Sequence, residues 1–353
     1  MICLNTMSLL AITNKLLVVA KERHVDVYDY ANHKILNIPE TVQNHEKDQV
    51  FDVALSNDSS HLALVTSATK QLIVYQLPDL EKQKIFNIPR SASKIRFTVD
   101  GAHILIADKS GDVLMYDIND DKSGTKLLGH LSLLLDVLQT NDKRFVISSD
   151  RDEKIRVSCY PSTYNIQTYC LGHKEFVNHI ELLPHNDQYV TSASGDGCVK
   201  IWNYTEGRLF HTIITENDIS DTQLKENFIK LMDDGGIEVN TLPIVHYTVT
   251  KLNETSSLIA LTVHSYNTIL IYKVDCVNNK FTHHLVEKLK LDRFPAALQF
   301  HKLMLFVYDD FENHVNGYKC LMLDGNIFLF KRKFDNVQEY QERKKQRLEK
   351  TLK

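Results

Sequence analysis

The chain has 353 residues, 43% of them hydrophobic, which is enough to bury a large core and excludes a disordered polypeptide. Its 41 Lys and Arg against 45 Asp and Glu leave a net charge of -4, which excludes a surface coated throughout for nucleic acid or anionic membrane. The base is concentrated at the end: residues 343–353 hold six basic side chains and one acid, a local +5 that leaves about -9 (-4 minus 5) on the rest.

The opening "MICLNTMSLLAIT" lacks the positive n-region of a secretory signal, so the chain is expected to begin as mature protein. No apolar run approaches the ~18 residues of a membrane span. Six cysteines (Cys3, Cys159, Cys170, Cys198, Cys276, Cys320) are scattered without a C-x-x-C pair, as for reduced thiols in cytosol or nucleus. Sequons at Asn57, Asn203 and Asn253 carry no weight without secretion.

In chain order, short strand-like runs recur, each ending in alternating aliphatics and a register position: "HVDVYDY", "QLIVYQL", "DVLMYDI", "KIRVSCY", "CVKIWNY", "TILIYKV" and "NIFLFKR". The register residues Tyr28, Tyr75, Tyr116, Ser158, Trp202, Tyr272 and Phe330 are spaced by 47, 41, 42, 44, 70 and 58 residues. Four short strands and their turns use ~40–45 residues, so each interval is expected to be one propeller blade, with insertions in the last two. Further apolar runs, such as "HLALVTSA" and "QYVTSAS", precede the register runs as earlier strands of each blade.

Two units carry sharper marks. "LGH" recurs at 128–130 and 171–173, and Asp152 and Asp196 each stand six residues before the register position. These units resemble the WD40 family, most fully in "GHKEFVNHIELLPHNDQYVTSASGDGCVKIWNY", where Asn203 stands at the family's usual Asp. The resemblance implies a structural hydrogen-bonded tetrad of His173, Ser192, Asp196 and Trp202, and a turn at "SGDG" where glycine tolerates positive φ. The expected fold is all-β, a seven-bladed WD40-type β-propeller over residues 1–333, its ring closed by the N-terminal strand "MICLN". Residues 215–240 form an elaborated loop with a short helix (Leu224, Phe228, Ile229 and Leu231 at helical spacing, Gly235-Gly236 as stop), and residues 334–353 a basic helical or disordered tail.

Catalytic constellations are not found. There is no Gly-rich phosphate loop after a strand, no G-x-S-x-G, no H-E-x-x-H and no Cys/His cluster at zinc spacing. His283-His284 is expected to be surface imidazoles, and no metal or cofactor is predicted for this chain. What stands out is "SSDRDEKIRVS", 148–158, where six of the seven residues from Asp150 to Arg156 are charged. In a strand, Ile155 and Val157 share one face and Lys154, Arg156 and Ser158 the other, so the cations are expected to project. A solvated hairpin with internal salt bridges of Arg151 or Lys154 to Glu153 and Asp150 accounts for such a block in the plainest way. The equivalent stretch one blade later, "SASGDGCVKIW", makes the same turn with far less charge, which favours a docking site.

Residues 128–184, with the R-D-E-K-I-R-V-S core, Y-P and the following L-G-H-x-E-F-V, resemble the WD-repeat non-catalytic subunit of the eukaryotic tRNA (guanine-N7) methyltransferase. That resemblance implies a heterodimer in which the partner subunit binds S-adenosylmethionine and methylates tRNA, while this chain stabilises the partner and helps position the tRNA. The docking surface it implies comprises Arg151, Asp152, Lys154, Arg156, Lys174, Glu175 and Phe176, with Arg156 foremost. Arg343, Lys344, Lys345, Arg347, Lys350 and Lys353 are candidates for tRNA phosphates or a nuclear localisation run. The implied location is the nucleus, with the cytoplasm as a second compartment and no membrane association. A WD-repeat adaptor or substrate receptor in a complex without RNA is the competing class.

Overall fold

A computed structural model of the chain describes residues 10–29, 33–38, 48–80, 83–237, 239–309, 314–323 and 326–332. The opening peptide Met1–Asn5, the 333/334 boundary and the basic tail therefore lie outside the described residues. Seven four-stranded antiparallel sheets follow one another along the chain, at 10–37, 50–87, 92–129, 134–170, 177–214, 244–290 and 297–332. In each sheet the strands pair in sequence order, so every sheet is a meander, and the fold is the all-β, seven-bladed WD40-type β-propeller.

The blades fall into two compact units. In the unit holding blades four to six, the second strands are buried along their whole length: Phe145–Asp150, Tyr189–Ser194 and Ser256–Val263. Both of their faces are covered, which is why they read as nearly unbroken runs of apolar and small residues. Blades four and five share a core of Phe145, Ile147, Val157, Val190 and Trp202, and blades five and six one of Ile201, Ile213, Ile259 and Tyr272. The outer strands carry the solvent side, Ile166–Cys170 being exposed over most of its length. Asp136, fully buried on the first strand of blade four, accepts from the backbone N–H of Ile180 on the first strand of blade five (3.0 Å). In the other unit, Asp52 accepts likewise from Ile95 N–H (2.8 Å), linking blades two and three. A buried carboxylate thus satisfies a backbone donor that no strand partner reaches. That unit's cores join Leu17, Val19, Val53 and Tyr308, and separately Val65, Ile95, Ile106 and Tyr116.

Six of the seven predicted register residues lie on third strands. The last does not. Phe330 falls on Asn326–Arg332, the fourth strand of the final sheet, whose third strand is His314–Leu323. Leu305 pairs with Tyr318 as Val190 pairs with Trp202 and Ile259 with Tyr272, so Tyr318, 3% exposed, holds the register position. The interval from Tyr272 becomes 46 residues (318 minus 272) and needs no insertion. Asn326–Arg332 also holds the outer place that the sequence pattern assigns to the opening peptide.

The 70-residue interval does contain an insertion. A 3-10 turn, Thr215–Asp218, leads to helix α1, Thr222–Asp234. Asp221 caps α1 by accepting from Leu224 N–H (3.0 Å), and Gly235 ends it. Phe228 and Met232, one turn apart, are buried on the sixth blade's side, Phe228 lying 5.0 Å from the His264 ring. Leu231, expected on the buried face, is 60% exposed, because the stripe follows 224, 228 and 232. Tyr272 Oη donates to Asp218 Oδ2 (2.8 Å), tying the turn to blade six.

Candidate functional site

The fifth blade contains the tetrad. His173 Nδ1 lies 2.9 Å from Asp196 Oδ2 and its Nε2 2.7 Å from Ser192 Oγ, while Trp202 Nε1 donates to the same Ser192 Oγ at 2.8 Å. Since the indole can only donate and a carboxylate only accept, the neutral imidazole carries its proton on Nδ1 and receives the Ser192 hydroxyl on Nε2. Asp196 also accepts from Lys174 N–H (3.0 Å) and Cys198 N–H (3.0 Å). Burial pushes the His173 pKa below its ordinary value, outweighing the attraction of Asp196. For Asp196, burial works upward, but the bonds from His173 and the backbone prevail and hold the carboxyl low. Gly172 passes over the indole, where a Cβ would sit 3.3 Å from the ring.

Blade four departs from this pattern at one position, and the departure rearranges its edge. Ser158 occupies the place of Trp202, and there is no indole to complete a tetrad. Asp152, the counterpart of Asp196, is turned outward: its side chain is 50% exposed and sits 3.5 Å from Arg151 Nε, whose side chain is 61% exposed. Lys154 is exposed, with Nζ 3.2 Å from the carbonyl of Asp152. A pair this exposed contributes less than ~1 kcal/mol. Within the block, Arg151 pairs with Asp152. Asp150 is 2% exposed and accepts from the Lys154 N–H (2.9 Å).

Arg156 is not a projecting cation. It is 9% exposed; Nε donates to Ser158 Oγ (2.9 Å) and Nη2 to the carbonyl of Thr163 (3.0 Å). Strand alternation makes Arg156 project only where one face of the strand meets solvent. Ile155–Cys159 is an inner strand covered on both sides, buried at all of its first four residues. Arg156 bonds at the position the indole fills one blade later, and it holds the 160–164 loop against the strand.

Glu153 takes a left-handed conformation (φ 70°), as Gly197 does (φ 70°) at the same turn position one blade later. Gly111 (φ 96°), Glu22 (φ 52°), Lys70 (φ 52°) and Ser265 (φ 58°) do the same between second and third strands elsewhere. The turn requires this conformation without dictating the side chain, so the charge at 153 is surplus to the fold. Lys174 is exposed, while Glu175 and Phe176 are half-buried. Burial, then the charges of Glu153 and Asp196, push the Glu175 carboxyl up. Phe176 lies over Gly195, where an added Cβ would come within 2.4 Å of the ring. Glu153→Gly is expected to leave stability unchanged or raise it by up to ~1 kcal/mol. It should also bring the Glu175 carboxyl down toward its ordinary value, as an NMR pH titration of the side-chain carboxyls would record.

The edge thus gathers Arg151, Asp152, Glu153, Lys154 and Lys174 on the surface, with Glu175 and Phe176 beside them and Arg156 beneath. Sequence reasoning missed the burial of Arg156 and of Lys200, its counterpart in blade five; the equal spacing of both to their register residues was the available signal.

The family model "tRNA methyltransferase TRM82 WD40 domain" matches residues 19–126 and 119–304. Among curated relatives, the tRNA (guanine-N(7)-)-methyltransferase non-catalytic subunit wuho of Drosophila pseudoobscura pseudoobscura is 32% identical over 321 residues, covering 85% of this chain and 78% of that protein. The wuho subunit of Aedes aegypti is 31% identical over 343 residues (88% and 82%), and the wdr4 subunit of Xenopus laevis 36% over 189 residues (53% and 48%). Among solved structures, a chain of "Crystal Structure of Mitotic Checkpoint Complex" matches with a TM-score of 0.70 at 14% identity, covering 89% of this chain and 90% of that one. "Structure of U3-55K" matches with a TM-score of 0.63 at 16% identity (83% and 84%). At these identities the structural likeness speaks to fold alone.

Proposed function

The chain belongs to the tRNA methyltransferase TRM82 WD40 family and is a non-catalytic subunit of a tRNA (guanine-N7) methyltransferase; from this we propose that it binds and stabilises the catalytic subunit through the edge of blades four and five. The partner binds S-adenosylmethionine and makes N7-methylguanosine in tRNA, and this chain contributes a rigid, charged platform. One observation carries the reading. Where the tetrad is not completed, Asp152 is released to the surface among Arg151, Glu153 and Lys154, on a turn whose geometry asks for none of them. Both signs on one stiff edge suit a partner with the complementary pattern, and Arg can meet a carboxylate with two bonds.

Arg156 enters this reading as a positioning residue, fixing the strand and loop under the exposed block. The basic residues Arg343, Lys344, Lys345, Arg347 and Lys350 of the tail supply a sequence-independent attraction to tRNA phosphates. The complex works in the nucleus, where tRNA is processed. Reconstitution tests the proposal: methyl transfer to tRNA is measured with both chains, then with each omitted. Activity is expected to need both chains, and the catalytic subunit alone is expected to lose activity on incubation and be protected by this chain. Undiminished activity and lifetime without this chain would refute it.

A further inference from the structure

A cavity of about 610 Å³ opens beside blade five, between its third and fourth strands and the loop that carries α1. Its size is in the range that takes protein side chains or small ligands. Lys200 lines it and is 9% exposed. The Lys200 Nζ reaches Thr212 Oγ1 at 3.4 Å, and among the described residues no carboxylate lies within ion-pair distance of it. An ammonium has three donors, and a buried one held by a single long hydrogen bond is costly to keep.

The acids lining the cavity are mostly engaged. Glu216 pairs with Lys225, Asp221 caps α1, and Asp196 belongs to the tetrad. Glu175 is half-buried with its carboxyl pushed up by burial and by neighbouring acids. Of the three lysines lining the cavity, Lys200 is the buried one, and among the described residues it has no ion-pair partner. Lys174 and Glu175 line the same cavity and belong to the proposed docking edge, so the two surfaces are continuous. Two apolar side chains stand in the open nearby: Ile214, 46% exposed, lines the cavity, and Leu171, 62% exposed, precedes the lining residue Gly172.

We propose that this cavity receives a carboxylate-bearing segment of the catalytic methyltransferase subunit, its acid pairing with Lys200 and its apolar neighbours covering Ile214 and Leu171. The inference rests on the reading that the edge of blades four and five docks that subunit. A nucleic acid backbone fits less well. Four carboxylates (Glu175, Asp196, Glu216, Asp221) face three lysines (Lys174, Lys200, Lys225) around the cavity, a local balance that repels a polyanion. A single carboxylate seated on Lys200 avoids most of that repulsion and gains a charge-assisted bond in a shielded setting.

Lys200→Met, which keeps the length of the side chain and removes the charge, separates the possibilities. The melting temperature of the free variant should match or exceed that of the wild type, because a buried charge without a partner is gone. Its affinity for purified catalytic subunit should fall by roughly thirty-fold or more. Ile214→Asp, on an exposed position that tolerates it, sets an acid against the incoming one and should weaken binding too; it decides the matter if the first variant folds poorly. An affinity within threefold of wild type in folded variants overturns the cavity assignment while the docking edge stands. No binding of the catalytic subunit by the wild-type chain overturns both. A loss confined to tRNA binding, with a shallower salt dependence and unchanged subunit affinity, makes the cavity a phosphate site and likewise overturns the inference.

Discussion

Ser192→Ala is expected to lower the stability of the chain by about 3 kcal/mol, because one hydroxyl serves two buried groups. Ser192 Oγ accepts from Trp202 Nε1 and donates to His173 Nε2, and all three residues are buried. Its removal strands an indole N–H and an imidazole nitrogen, each worth ~1–3 kcal/mol when left unmet. Trp202 is the one tryptophan of the sequence, so its fluorescence reports on blade five without labelling. Urea melts followed by far-UV circular dichroism should show the midpoint falling, and the Ser192→Ala change should cost less when made in a Trp202→Phe background, where the indole donor is already withdrawn.

The same network makes the blade sensitive to acid. The His173 pKa lies below its ordinary 6.5 because burial disfavours the charged ring. The folded state therefore binds fewer protons there than the unfolded chain. The stabilisation is fully present above pH 6.5 and is lost as the pH falls through the lowered folded value. His61, His185, His211, His264 and His283 are also shifted down, burial being the first cause in each, so they add in the same direction. Asp196, held low, adds its own loss only at more acid pH. Melting temperatures measured from pH 7.5 downward should begin to fall below pH 6.5. Replacing His173 by Gln should flatten the early part of that fall while lowering the plateau.

Much of this was legible in the sequence, for identifiable physical reasons. A blade repeats one hydrophobic pattern, and the interval between third strands is fixed by strand length and turn length, so spacing alone locates most of the sheets. His173, Ser192, Asp196 and Trp202 were legible through the resemblance to the WD40 family, whose tetrad holds set positions because buried polar groups must find each other. Phe330 was misplaced because an outer strand shows the same alternation as a third strand; only pairing, Leu305 to Tyr318, distinguishes them. Arg156 was misplaced for a related reason. Alternation tells which residues share a face, and says nothing about whether that face meets water or a neighbouring blade. The cavity at Lys200 was out of reach altogether, since residues 172 to 242 from two strands, a turn and a helix build it.

Reversing Lys154 and Lys174 together to glutamate is expected to abolish the complex with the catalytic subunit and leave the propeller folded. Both side chains are exposed and neither supports a buried network, so the urea midpoint of the free chain should hardly move. At the interface the change replaces two attractions by two repulsions, and affinity should fall by roughly a hundredfold or more at physiological salt. Arg156→Glu provides the contrast. It sets a carboxylate against the carbonyl of Thr163 inside blade four, where a buried charge without a partner costs about 3–5 kcal/mol, so it should lose the complex by loosening the blade. Stability and affinity are measured on each variant. A double reversal that still binds within tenfold of wild type would remove the docking edge from consideration. An Arg156→Glu chain that melts normally yet fails to bind would show that the guanidinium meets the partner directly instead of bracing the strand beneath it.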